Sequence, residues 1–119
     1  MKLLIVDDSS IIRKVIQLYV AKYQLEIVGE AGDGKMALEI FKEKEPDIVT
    51  MDITMPEIDG LTCVEEMLKM RSGTKILVIT ALSDEATALK ALKLGAKGFL
   101  GKPFNTDTFN EAFETLVAG

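Results

Sequence analysis

The chain has 119 residues, 48% hydrophobic and 28% charged, with a formal net charge of −5. That length fits one domain, taken here as residues 1–119, with a hydrophobic core of its own. The acidic balance counts against direct binding to nucleic acid. There is no histidine and one cysteine, Cys63. This excludes Ser-His-Asp and Cys-His catalysis, histidine-based zinc sites and an internal disulfide.

In chain order, Leu3-Leu4-Ile5-Val6 reads as a buried strand ending in Asp7-Asp8. Ser9 or Ser10 can cap a helix whose apolar face is Ile12, Val15, Ile16, Tyr19 and Val20, the spacing of a helix packed on one side. Leu25 to Gly29 reads as a second, more polar strand suited to a sheet edge. Asp33-Gly34 opens a helix with Ala37, Leu38 and Phe41 inward, running to about Lys44. Pro46 introduces a third strand, Asp47 to Met51, which stops at Asp52; Met55-Pro56-Glu57-Ile58-Asp59-Gly60 then breaks the chain.

Leu61, Val64, Met67 and Leu68 mark a third helix that Ser72-Gly73 ends. A fourth strand, Lys75 to Ile79, stops at Thr80-Ala81. Ser83 is expected to cap the next helix, with Asp84 and Glu85 in its first turn, where they complement the helix dipole. Its apolar residues include Ala88, Leu89, Ala91 and Leu92, and Gly95 is the expected stop. A short fifth strand, Lys97 to Leu100, leads to Gly101-Lys102-Pro103. The last helix begins near Asn105-Thr106 and buries Phe109, Ala112, Phe113 and Leu116.

No apolar run approaches the ~20 residues of a membrane helix, and the run after Met1-Lys2 is too short for a signal-peptide core. A cytoplasmic setting is expected. Apolar strands alternating with amphipathic helices are the pattern of a parallel sheet covered on both faces, an α/β fold. Right-handed crossovers put the carboxyl ends of all its strands on one edge, where ligands of such sheets bind.

That edge receives Asp7 and Asp8 from strand one, Asp52 from strand three, Thr80 from strand four and Lys102 from strand five. Each alone has an ordinary explanation. Asp7 or Asp8 could cap a helix, Asp52 could start a loop, Thr80 could end a strand, and Lys102 could be a solvated lysine. Together they are complementary chemistry on one rim. Two carboxylates ~5 Å apart repel by about 3 kcal/mol at an effective dielectric of ~20. Three either raise a pKa or recruit a cation. An open, all-oxygen site suits Mg2+, which keeps several of its own waters. Mg2+ plus Lys102 would balance the three aspartates, so that a phosphoryl group could enter without net repulsion. Asp52 is then the nucleophile, forming an aspartyl phosphate.

Val6-Asp7-Asp8, Asp52 with Met55-Pro56 and Asp59-Gly60, Thr80-Ala81, and Lys102-Pro103-Phe104 resemble the receiver domain of bacterial response regulators over about residues 2–117. The likeness is to the CheY-like single-domain type. It implies a flavodoxin-like (βα)5 three-layer sandwich with a parallel five-stranded sheet in the order 2-1-3-4-5. It implies phosphorylation of Asp52 by a partner histidine kinase. Asp8, Asp52 and the backbone carbonyl of Thr54 would bind Mg2+, with Asp7 helping through water, and the Lys102-Pro103 bond would be cis. It also implies a switch. Thr80 moves toward the phosphoryl group, Phe99 rotates into the vacated space, and the surface of the fourth helix, fifth strand and fifth helix changes its preference for a downstream partner. An ordinary core aromatic is the alternative for Phe99, and Lys90, Lys93 and Lys97 read as a solvated helix face, with an acidic-partner site as the alternative. Thr54 and Leu82 are expected to line the approach to the phosphoryl group and to affect how fast water attacks it.

The expected protein is a monomer that promotes only its own phosphorylation and dephosphorylation, in chemotaxis or another two-component pathway. A flavodoxin-like cofactor binder is disfavoured because Asp7-Asp8 would repel a phosphate after strand one. An aspartyl phosphatase of the haloacid dehalogenase type is disfavoured because its two aspartates lie one residue apart after the first strand. A receiver cut from a larger regulator with a DNA-binding or enzymatic output domain, or a phosphorelay intermediate, remains the alternative of the same class.

Overall fold

The computed structural model describes residues 1–54, 60–81 and 84–119. The break expected over residues 55–59, and the expected roles of Leu82 and Ser83, therefore lie outside the described residues. The elements are β1 (Lys2–Val6), α1 (Ser10–Val20), β2 (Glu26–Ala31), α2 (Gly34–Lys44), β3 (Ile48–Asp52), α3 (Gly60–Met70), β4 (Lys75–Ala81), α4 (Glu85–Leu94), β5 (Gly98–Lys102) and α5 (Thr106–Ala118). A short 3-10 turn, Ala21–Tyr23, follows α1.

The strands are all parallel, in the order β2-β1-β3-β4-β5. Because strand side chains alternate faces, each central strand feeds two cores. Leu4, Val6, Val49, Met51, Ile76 and Val78 pack with residues of α2, α3 and α4, among them Phe41, Val64, Met67 and Ala91. Leu3, Ile5, Ile48, Leu77, Ile79 and Leu100 pack with Ile16 and Val20 of α1 and with Phe109, Phe113 and Leu116 of α5. Burial on both faces explains why these strands are continuous apolar runs rather than alternating ones. Phe109 and Phe113 stack at 5.5 Å between centroids, and burying each contributes roughly 2 kcal/mol or more. Among the described residues no helix is long and apolar enough to cross a membrane.

The strands differ from expectation mainly at their carboxyl ends. Asp52, Thr80, Ala81 and Lys102 lie within strands, because the ladder pairs Asp52 with Ile79, Thr80 with Gly101 and Ala81 with Lys102. The functional side chains are thus held by sheet hydrogen bonds rather than carried on loops. β2 begins and ends later than expected and does not stop at Gly29. That glycine pairs with Leu4 past an irregularity in register, and a Cβ there would lie 2.8 Å from Cγ2 of Ile40 in α2. It marks a close helix–sheet approach, not a turn.

The caps are Ser9 for α1, Asp33 for α2 and Asn105 for α5. Asp84 caps α4, accepting from the Thr87 amide at 3.2 Å. The expected start is therefore displaced by one residue, since an aspartate satisfies a free helix amide as well as a serine does. Gly95 ends α4 with φ 120°, as its position predicts. Leu89 faces outward, while Ala88 and Ala91 form the buried stripe of α4.

Candidate functional site

β1 delivers Asp7 to the rim one residue after its last ladder position. Its amide donates to the Ala31 carbonyl at 3.0 Å, and its Oδ1 accepts from the Ser9 amide at 2.9 Å. Arg13, one turn into α1, donates to the Asp7 carbonyl and pairs with Glu30 at 3.1 Å. This arginine fastens the loop between β1 and α1. Sequence reasoning passed over it, because Glu30 lies 17 residues away on β2 and no local pattern links them.

β3 delivers Asp52, whose side chain is 1% exposed, beside the fully buried Asp7. Asp52 Oδ1 accepts two hydrogen bonds from Thr54, from its amide at 2.9 Å and from its hydroxyl at 2.6 Å. Asp52 Oδ2 accepts from Lys102 Nζ at 3.3 Å. The close approach of α3 matters here, since a Cβ on Gly60 would sit 2.2 Å from the Ile53 Cα. Any larger residue would displace the backbone immediately after Asp52.

Lys102 Nζ also lies 2.9 Å from Asp7 Oδ2. The contact is an ion pair by proximity without hydrogen-bond alignment, and Asp7 Oδ2 has no hydrogen-bond partner among the described residues. Burial pushes the Asp7 pKa up, against the Ser9 amide and Lys102, and the nearby Asp52 charge adds to the rise. Burial acts to lower the Lys102 pKa, but its contacts with Asp7 and Asp52 outweigh that and hold it above the ordinary lysine value. Lys102 is thus an ammonium at neutral pH. The Lys102–Pro103 bond is cis, as the resemblance implied.

Asp8 is exposed and completes the cluster. One carboxylate oxygen from each of Asp7, Asp8 and Asp52 lies within 4.8 Å of the others. The donor set is all oxygen, one member has a buried oxygen met by the Lys102 ammonium without a hydrogen bond, and one is open to water. These properties fit a hard divalent cation that retains part of its hydration shell.

Thr80 is 2% exposed, and its hydroxyl has no partner among the described residues. An unpartnered buried hydroxyl is costly and uncommon. It lines a cavity of about 60 Å3 together with Ala81, Glu85, Ala88, Phe99 and Gly101. Phe99 is 50% exposed, which rules out its being an ordinary core aromatic. On its outer side it joins Leu92, Lys97, Ala112 and Leu116 around a groove of about 480 Å3 between α4, β5 and α5. The structure therefore brings Asp7, Asp8, Asp52, Thr54 and Lys102 together. It sets Thr80 and Phe99 across a small cavity beside them.

The rim chemistry and sheet order define a class, and the chain matches the family model of the response regulator receiver domain over residues 3–114. It belongs to that family, which serves two-component signalling. More particularly, it is 42% identical over 115 residues to the chemotaxis protein CheY of Thermotoga maritima, spanning 97% of this chain and 96% of that protein. It is 40% identical over 116 residues to CheY of Bacillus subtilis, spanning 98% and 97%. A solved complex of CheX, CheY, BeF3 and Mg2+ from Borrelia burgdorferi superposes with a TM-score of 0.89 at 31% identity, covering 99% of this chain and 87% of that one.

Proposed function

We propose that residues 1–119 act as one receiver domain that takes a phosphoryl group onto Asp52 from the phosphohistidine of a sensor kinase. The new bond joins an Asp52 oxygen to phosphorus as the P–N bond breaks, its electron pair leaving on the imidazole. The observation that carries this reading is the setting of Asp52, which is buried at a strand end, within reach of a lysine ammonium and inside a cluster of three carboxylates. Asp8, Asp52 and the Thr54 carbonyl would hold Mg2+, with Asp7 acting through water. When bound, the ion supplies positive charge toward the phosphoryl oxygens. Lys102 supports a second oxygen as an ammonium, and the Thr80 hydroxyl is free to donate to a third.

The same hydroxyl links the site to the surface. Drawn toward a phosphoryl oxygen, Thr80 leaves the cavity it shares with Phe99, and the ring turns inward. The half-exposed ring described here is then the unphosphorylated arrangement. The groove beside it is the surface whose partner preference changes, a two-state equilibrium biased by the phosphoryl group. Two relatives are named as chemotaxis proteins, and chemotaxis is the pathway proposed here. In this reading the domain is a cytoplasmic monomer. It catalyses only its own phosphorylation and dephosphorylation, and contacts neither membrane nor nucleic acid directly.

Transfer from a labelled phosphohistidine kinase tests this. The expected product is an Mg2+-dependent, alkali-labile label on the parent chain, absent from Asp52→Asn. Label that persists unchanged in Asp52→Asn would falsify the assignment.

A further inference from the structure

Both oxygens of Asp52 are engaged in the described structure, and unequally. Oδ2 meets Lys102 at 3.3 Å, whereas Oδ1 accepts both the Thr54 amide at 2.9 Å and the Thr54 hydroxyl at 2.6 Å. A carboxylate oxygen has two lone-pair sites, so the two donors from Thr54 fill Oδ1. Hydrogen bonds to ionised acceptors are shorter and stronger than neutral ones, and the hydroxyl bond, at 2.6 Å, is the shortest that Asp52 makes among the described residues.

We propose that the Thr54 hydroxyl is a catch on the acceptor carboxylate, a positioning residue that must let go of Oδ1 before that oxygen can take a cation or a phosphoryl group. This rests on the function proposed above for its kinetic consequence, but not for its effect on cation binding. Release is local. Thr54 is exposed, so its hydroxyl can turn about one bond into water, which accepts the hydrogen bond instead. The Thr54 amide stays in place, so the carboxylate keeps its orientation while one lone pair is freed. When the pair on Asp52 attacks a small acyl phosphate, an O–P bond forms as the P–O bond to acetate breaks, and the carboxylate leaves with the electrons. The hydroxyl opposes that step by holding the attacking group in its resting state.

This role differs from the two expected for position 54, a backbone carbonyl ligand implied by the resemblance and a side chain lining the approach that affects how fast water attacks. The sequence shows a hydroxyl two residues beyond an aspartate. Only the turn geometry shows both Thr54 donors folding back onto one oxygen.

Thr54→Val keeps the side-chain shape and the amide while removing the donor. Thr54→Ser restores a hydroxyl. Mg2+ affinity is measured calorimetrically on the unphosphorylated protein, and the rate of phosphorylation by acetyl phosphate at saturating Mg2+. The expected result is that Thr54→Val binds Mg2+ and accepts phosphate about 5- to 10-fold better than the parent, while Thr54→Ser returns close to the parent in both. A valine variant no better than the parent in Mg2+ affinity overturns the catch, as does a serine variant that matches valine. A parent chain that takes no phosphate on Asp52 overturns the function proposed above, and the Mg2+ titration still decides the catch.

Discussion

β3 has an aspartate at each end, and the two are used in opposite ways. Asp47, just before the strand, is fully served. Its Oδ2 accepts the Lys2 amide at 2.8 Å and its Oδ1 meets Arg71 Nη2 at 3.3 Å. Arg71 also donates to the Glu45 and Pro46 carbonyls, so one guanidinium gathers the chain entering β3. The Lys2 amide, with help from Arg71 and against burial, holds the Asp47 pKa below its ordinary value. At the other end, Asp52 shares one lysine with a fully buried Asp7 whose pKa is pushed up by burial. One end of the strand spends its aspartate on structure. The other concentrates like charges that structure leaves under-compensated, and that imbalance creates the demand for a cation.

The contrast breaks most visibly at Lys102. Removing one partner of a buried ion pair costs about 3–5 kcal/mol, reduced here to roughly 2 kcal/mol because the lysine is partly open to water. Lys102→Ala is therefore expected to lose about that much stability in urea unfolding without metal. Added Mg2+ should recover more stability in the variant than in the parent, since a ligand stabilises the state that binds it. Full metal-free stability in Lys102→Ala would mean the rim carries no electrostatic imbalance.

Asp7→Asn probes the same imbalance from the carboxylate side. A raised folded-state pKa means the ionised form is the unfavourable one in the folded chain. The cost is absent below the ordinary value of 3.8 and sets in as pH rises through the folded pKa. Asp7→Asn is thus expected to gain on the order of 1 kcal/mol at pH 7, with the gain fading as pH is lowered toward 3.8. Thermal melts across that range check it, and a loss of stability at pH 7 would contradict it.

Asp47→Asn should show the reverse sign and the smallest effect. Its depressed pKa contributes stability that is present above 3.8 and disappears as pH falls through the lower folded value. The pair is half exposed, so at pH 7 the expected loss is a few tenths of a kcal/mol, closing in acid. A variant that stays less stable than the parent by the same margin at all pH values would mean the Asp47 charge is not what matters.

The difference between these ends also shows what sequence can carry. Asp7, Asp8, Asp52, Thr80 and Lys102 were legible because each follows an apolar run, and parallel topology sends all such ends to one edge. The strand order itself came from resemblance, since spacing does not say which strand is central. The Asp47–Arg71 clamp was not legible, because its partners are 24 residues apart and no local pattern links them. Arg13 and Glu30 escaped for the same reason. The extent of β2 was misjudged because a glycine marks a turn and a close approach with the same letter. The hydroxyl of Thr54 was visible as a residue but not as a contact, since its direction is set by the turn after β3.

The central claim is that Asp52, not its neighbours, carries the phosphoryl group. Reducing the phosphorylated protein with borohydride converts an aspartyl phosphate to homoserine, which peptide mass spectrometry can place by residue. Homoserine at position 52 alone, dependent on Mg2+ during phosphorylation, is the result expected. Homoserine at position 7 or 8, or none anywhere in a protein that holds label, would contradict it.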